Sequence, residues 1–185
     1  MPDSSEPEKW VKQDTELHAD CRVFRILKSR FSHPARNEKG DFFILDAPDW
    51  VTVVAITPND EVVTVNQFRY GIEALSLEVP AGMVEPGEDP LNAGIRELRE
   101  ETGYTGTDPK LLGWVYPNPA IQNNKCYVVA ITGVERNTPV VWDDHEEIQT
   151  RLIPVKNIPS MLANGAFTHS LSWCAFQMYF QKYSL

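Results

Sequence analysis

Two β-branched runs, WVTVVAIT at Trp50–Thr57 and EVVTVNQF at Glu61–Phe68, stand on either side of Pro58-Asn59-Asp60. Turn residues between two runs of strand formers make a hairpin, and a chain with such a pair near its middle is committed to a sheet. More strands are expected at CRVFRILKSR from Cys21 and at DFFILD (Asp41–Asp46), joined by a Pro-, Asn- and Gly-containing loop. Others are expected at LSLEV (Leu75–Val79), Leu111–Tyr116, Lys125–Val134 and Ile148–Pro154. Helical spacing appears in two places. One helix starts at Asp89, an N-cap followed by Pro90 at the first helical position, and stops at Gly103. The other lies in the apolar-periodic stretch after Thr168. Mixed strands with two or three helices make an α+β or α/β/α layered domain.

Composition narrows the function classes. Lys and Arg number 17 against 26 Asp and Glu, a net charge of −9, so binding to a nucleic acid polymer is disfavoured. Cys21, Cys126 and Cys174 are too scattered for a disulfide framework or a zinc site and suit a reducing compartment. The acidic, polar start has no basic n-region or apolar h-region, and no apolar run is long enough to span a bilayer. The expectation is a soluble cytoplasmic protein with no membrane partner. Residues 1–20 read as a flexible tip with little to bury, residues 21–48 as an N-terminal β arm, and residues 49–185 as the main domain.

The chemistry concentrates on the helix after Asp89. Leu91, Ile95, Leu98 and Thr102 form one core-facing stripe, while Glu97, Glu100 and Glu101 gather on another face. Like charges at i, i+4 are mutually destabilising by a few tenths of a kcal/mol, so a cation among them is favoured. Oxygen ligands without nearby His or Cys select Mg²⁺ or Mn²⁺ over zinc. An acidic helix face alone is more often solvated surface. The longer pattern decides otherwise. GMVEPGEDPLNAGIRELREETGY, Gly82–Tyr104, fits G-x5-E-x7-R-E-U-x-E-E-x-G-U with U bulky and apolar, and Tyr104 stands where an aliphatic residue is usual. Gly82, Glu88, Arg96, Glu97, Glu100, Glu101 and Gly103 coincide by chance on the order of 10⁻⁹ per starting point at ordinary residue frequencies. This is the signature of the Nudix hydrolases, which the chain resembles.

The resemblance implies a Nudix fold: an α/β/α sandwich with a mixed central sheet, carrying the N-terminal antiparallel arm. It implies Glu97, Glu100, Glu101 and the Ala81 carbonyl as metal ligands, with Gly82, Glu88, Arg96 and Gly103 structural. NQFRYG (Asn66–Gly71) and LEVPAG (Leu77–Gly82) resemble the ADP-ribose and nucleoside-diphosphate-sugar pyrophosphatases, making Arg69 a candidate phosphate contact. Pro119 and the NPAIQNN run, including Asn123, resemble the same branch and are candidates to contact substrate. The activity implied is metal-dependent cleavage of ADP-ribose or a nucleoside diphosphate sugar into a nucleoside monophosphate and a phosphorylated sugar. A triphosphate pyrophosphohydrolase and a non-catalytic nucleotide-sugar sensor are the alternatives. The catalytic base is sought in the acidic loop Asp143–Glu147, with Glu146 first, then Glu147 and Asp144; Glu97 is the alternative, and His169 at a helix start is a further candidate. Phe24, Phe31 and Phe42 are candidates to stack a base. A homodimer is implied by resemblance alone.

Overall fold

The computed structural model describes residues 6–142 and 147–183. They form two compact units, Met1–Pro48 with Asn118–Asn124, and Asp49–Pro117 with Lys125–Leu185. The first holds a three-stranded antiparallel sheet in the order β1 (Val11–Asp20), β2 (Arg25–Ser32), β3 (Lys39–Asp46). Residues 11–20, expected as part of a flexible tip, are therefore a strand. Their sequence shows no apolar alternation because β1 is almost wholly exposed. It is held by its ladder to β2 and by cross-strand polar pairs: Thr15 with Ser29 at 2.9 Å, and Lys28 with Glu16 at 3.3 Å. Lys28 and Arg30 also meet Asp41 on β3, and the Arg30 hydrogen bonds draw the Asp41 carboxyl down to about 2. The 118–124 segment, expected within the main domain, groups with this unit. Leu45 N–H donates to the Ile121 carbonyl, and Asn123 Nδ2 donates to Asp46 Oδ1 at 2.7 Å.

The second unit is built on β4 (Trp50–Ile56), β5 (Glu61–Arg69), β6 (Ala74–Glu78), β7 (Ala81–Met83), β8 (Tyr104–Val115), β9 (Cys126–Arg136) and β10 (Ile148–Pro154). The sheet order is β10-β5-β4-β9-β8, with β6 on β5 and β7 on β4. Among the described residues β4 and β9 are the parallel pair of this sheet and its other pairs are antiparallel, so it is mixed. The β4 residues alternate between two cores. Val51, Val53 and Ala55 face Ala93 and Leu98 of α1 (Pro90–Thr102). Val54 and Ile56 face Ile158 and Leu162 of α2 (Ile158–Ala163) and Ala175, Phe176 and Tyr179 of α3 (Ser170–Tyr183). A strand covered on both faces reads as a continuous β-branched run, which is why it stood out in the sequence. The result is the expected α+β class with α/β/α layering. The short α2 had no separate signal, since six residues are too few to display a period. Among the described residues no helix is long and apolar enough to cross a membrane, and all three cysteines are free thiols.

Helix α1 is delimited as its sequence suggests. Asp89 accepts from Leu91 N–H at 2.8 Å, and Gly103 closes the helix with φ 75° and its N–H on the Arg99 carbonyl. The Gly103 carbonyl in turn accepts from Asn137 and Thr138. A Cβ here would fall 2.4 Å from the Thr138 carbonyl oxygen, whereas at Gly165 (φ 79°) it would meet nothing within 4 Å. The left-handed conformation alone costs a non-glycine residue about 1–2 kcal/mol. Gly103→Ala is therefore expected to lose about 2 kcal/mol or more, and Gly165→Ala about 1 kcal/mol, in urea unfolding followed by circular dichroism. Equal losses would mean that the backbone contact at Gly103 carries no weight.

Candidate active site

One arginine organises the face of α1. Arg96 Nε and Nη2 take both carboxylate oxygens of Glu88, at 3.0 and 2.9 Å, and Nη2 also donates to the Met83 carbonyl at 2.8 Å. Its Nη1 reaches Glu97 Oε1 at 2.7 Å and Glu100 Oε2 at 3.2 Å. The loop from β7 is thereby pinned to the helix, and Glu88 secures it further by accepting from Glu85 N–H. The hydrogen bonds from Arg96 hold the Glu88 carboxyl below its ordinary range despite the opposing effect of desolvation, and Glu88 raises the Arg96 pKa in return. Glu88 and Arg96 thus join the loop after β7 to the helix.

The remaining carboxylates lie against the β7 backbone. Glu101 is buried, and its Oε2 accepts from Ala81 N–H at 3.1 Å. Glu97 sits over Gly82 so closely that a Cβ there would lie 2.0 Å from the Glu97 carboxyl carbon. Gly82 is therefore a close-approach glycine. Glu100 points to the other side, to Arg96 and to Arg99 at 3.0 Å. Gly94 allows α1 itself to come close, since its Cβ would be 3.2–3.3 Å from Val129 and Val51. Glu97, Glu101 and the Ala81–Gly82 backbone thus form an oxygen-rich cradle that only a glycine leaves open, and its donors are all hard. In this conformation no three His, Cys, Asp or Glu side chains among the described residues are grouped tightly enough to chelate an ion. The donor set and the open cradle fit a divalent cation, with Glu97 and Glu101 the natural ligands and Glu100 needing to turn from its arginines to join them.

A cavity of about 310 Å³ opens beside the cradle, lined by Trp50, Thr52, Arg69, Ala81, Gly82 and His169 among others. Arg69 grips Glu78 with both ends of its fork, Nε to Oε1 at 2.9 Å and Nη2 to Oε2 at 2.6 Å. Glu78 is wholly buried. Burial, the largest single influence, would push its carboxyl up, but the hydrogen bonds and charge of Arg69, with smaller help from His169 and Ser76, together hold the group below its ordinary value. His169 Nδ1 lies 3.2 Å from Glu78 Oε2 and 3.1 Å from Ser172 Oγ. Burial lowers its pKa against the pull of Glu78. The role of Glu78 was missed at sequence level. Its signal was a lone carboxylate in the apolar run LSLEV, two positions before the Pro-Ala-Gly turn.

The sequence candidates divide by location. Arg69, Ala81, Gly82, Glu88, Arg96, Glu97, Glu100, Glu101 and Gly103 all belong to the second unit. Pro119 and Asn123 belong to the first. There Pro119 lines an aromatic groove with Trp10, Phe31 and Phe42, and the Asn123 amide is engaged by Asp46. Glu147 is exposed immediately before β10. Asp144, His145 and Glu146 lie outside the described residues.

The NUDIX domain family matches residues 47–171. The chain is 36% identical over 85 residues to an ADP-ribose pyrophosphatase of Bacillus subtilis, covering 46% of each chain. It is 40% identical over 129 residues to an ADP-sugar pyrophosphatase of Mus musculus, covering 67% of this chain and 56% of that one. The matched stretches span about half the length of these curated relatives. In three dimensions it superposes on the crystal structure of an ADP compounds hydrolase with a TM-score of 0.84, at 20% identity and over 96% of both chains, which shows a shared fold. With the family matched across most of the chain and every fixed position of the motif in place, the protein belongs to the NUDIX domain family.

Proposed function

We propose that this protein is a divalent-metal-dependent pyrophosphohydrolase that cleaves ADP-ribose or another nucleoside diphosphate sugar into a nucleoside monophosphate and a phosphorylated sugar. The observation that carries the reading is the cradle of Glu97 and Glu101 on the Ala81–Gly82 backbone, opening on the same cavity as the Arg69 guanidinium. The names of the related pyrophosphatases support the substrate class. Mg²⁺ or Mn²⁺ held there would neutralise phosphoryl charge and acidify a water. The Arg69 guanidinium, held on its Nε–Nη2 edge by Glu78, contacts a phosphate and orients the diphosphate. Arg96 holds the helix and the β7 loop in one register, so Glu97 and Glu101 keep their spacing through turnover. In the reaction a water oxygen bonds to one phosphorus, the bridging P–O bond breaks, and the water's proton passes to a carboxylate. The acceptor is Glu146 or its neighbour Glu147, with Glu97 the alternative in the cradle. Pro119 and Asn123 are further proposed substrate contacts. A homodimer acting in the cytoplasm completes the proposal.

Glu97→Gln and Glu101→Gln are each expected to lower kcat by about a hundredfold or more, with melting temperature little changed, because each removes a charged ligand. Turnover near the wild-type rate at saturating Mg²⁺ in either variant would remove it from the ligand set. Gly82→Ala is expected to displace the Glu97 carboxylate and to weaken Mn²⁺ binding, titrated by electron paramagnetic resonance, by about tenfold or more. Unchanged Mn²⁺ affinity would mean the cradle is not where the metal sits. On a substrate panel, kcat/KM for ADP-ribose or one nucleoside diphosphate sugar is expected to exceed that of every nucleoside triphosphate by about a hundredfold, or ~2.7 kcal/mol. A triphosphate that matched the best sugar diphosphate would overturn the substrate and leave the family untouched.

A further inference from the structure

Arg69 and His169 approach the cavity from different parts of the chain. Arg69 ends β5, and His169 precedes α3, where its carbonyl accepts from Trp173 N–H at 3.2 Å. Both converge on one buried carboxylate. Glu78 and Arg69 lie on the same face of the β5–β6 hairpin, in the register Val65↔Glu78 and Arg69↔Ala74. Ser172, one turn into α3, accepts from Val79 N–H at 3.2 Å and so ties the start of that helix to the end of β6.

His169 Nδ1 lies against two groups, Glu78 Oε2 at 3.2 Å and Ser172 Oγ at 3.1 Å. A lone pair on Nδ1 would face the carboxylate, so a proton on that nitrogen is the arrangement favoured beside Glu78. Glu78 Oε2 thus accepts from Arg69 Nη2–H at 2.6 Å and has His169 Nδ1 beside it at 3.2 Å. The second contact restrains rotation of the carboxylate, and the carboxylate sets the plane of the guanidinium that grips both its oxygens.

We propose that Glu78 yokes His169 to Arg69, and that His169 is a positioning residue for the guanidinium that holds the diphosphate of the substrate. The inference rests on the reading of Arg69 as a phosphate contact. Without the imidazole, Arg69 and Glu78 sample more orientations, and substrate binding has to supply that lost entropy. The effect falls on affinity rather than on the chemical step. It also carries a pH dependence. Among the described residues, the charged groups whose interaction reaches the imidazole are Glu78 from β6 and Arg69 from β5. With His169 neutral the three groups sum to zero charge. Once His169 is protonated they sum to +1, beside a cavity meant for a polyanion. Because burial lowers the His169 pKa, this gain is confined to the acid side of 6.5.

The test compares the wild type with His169→Leu and His169→Asn, using ADP-ribose and saturating Mg²⁺. His169→Leu is expected to raise KM about fivefold or more, with kcat within about twofold. In His169→Asn the side-chain amide stands in for Nδ1–H, so KM at pH 8 returns to within about twofold of wild type. The ratio of the His169→Asn KM to the wild-type KM is expected to rise about threefold or more between pH 8 and pH 5.5, since only the wild type gains the charge. An unchanged KM in His169→Leu, a His169→Asn enzyme no better than His169→Leu, or a flat ratio would each overturn the proposal. Should His169→Leu fail to fold, the ratio decides alone. If wild type does not turn over ADP-ribose, the substrate reading has failed on its own. The yoke is then judged by calorimetric binding of inorganic pyrophosphate: about fivefold weaker in His169→Leu upholds it, and equal affinity overturns it.

Discussion

The Arg96 guanidinium is the joint on which the second unit depends. A single planar cation binds the Glu88 carboxylate, the Met83 carbonyl, Glu97 and Glu100. Without it, the three carboxylates of Glu88, Glu97 and Glu100 would repel one another. Lysine would not substitute, because a point charge cannot reach three carboxylates and a carbonyl from one plane. The joint converts a flexible Gly- and Pro-containing loop into a fixed support for β7. The position of β7 determines whether Glu97 and Glu101 stand over Gly82 and Ala81.

Beneath that joint the sheet supplies rigidity. Strand β4 is flanked by β5 and β9, and its inward residues divide between two cores. Its first residues, Trp50–Thr52, pair with Met83–Ala81 of β7. The backbone holding the cradle is therefore hydrogen-bonded to one of the most buried strands in the molecule. Sites built on such elements keep their geometry better than sites on loops. Gly94 contributes by letting α1 settle against Val51 and Val129.

The second unit was legible in the sequence because its constraints are local. The limits of α1 were written in Asp89, Pro90 and Gly103, and the glutamate face in the spacing of positions 97, 100 and 101. The central strands announced themselves through burial on both faces. Legibility failed where structure arises from long-range pairing. Strand β1 is polar and solvent-facing, so only its ladder to β2 makes it a strand. The Arg69–Glu78–His169 group joins residues up to a hundred positions apart, and nothing local marks a buried glutamate as the partner of two others. The Asn123 amide was read for its polarity; it is occupied by Asp46, a contact visible only once β3 and the 118–124 segment are side by side.

That last pairing bears on how the chain can be divided. The 118–124 segment is encoded between β8 and β9 of the second unit, yet it groups with the N-terminal sheet. Leu45 N–H bonds to Ile121, Asn123 to Asp46, and Asn124 Nδ2 to the Pro48 carbonyl. A graft or truncation cut after Pro48 would therefore strip this loop of its partners while leaving it anchored at both ends in the remaining protein. The N-terminal sheet is thus an inherited companion of one particular loop. Exchanging it between relatives demands that residues 118–124 travel with it, as a split cassette rather than a terminal module.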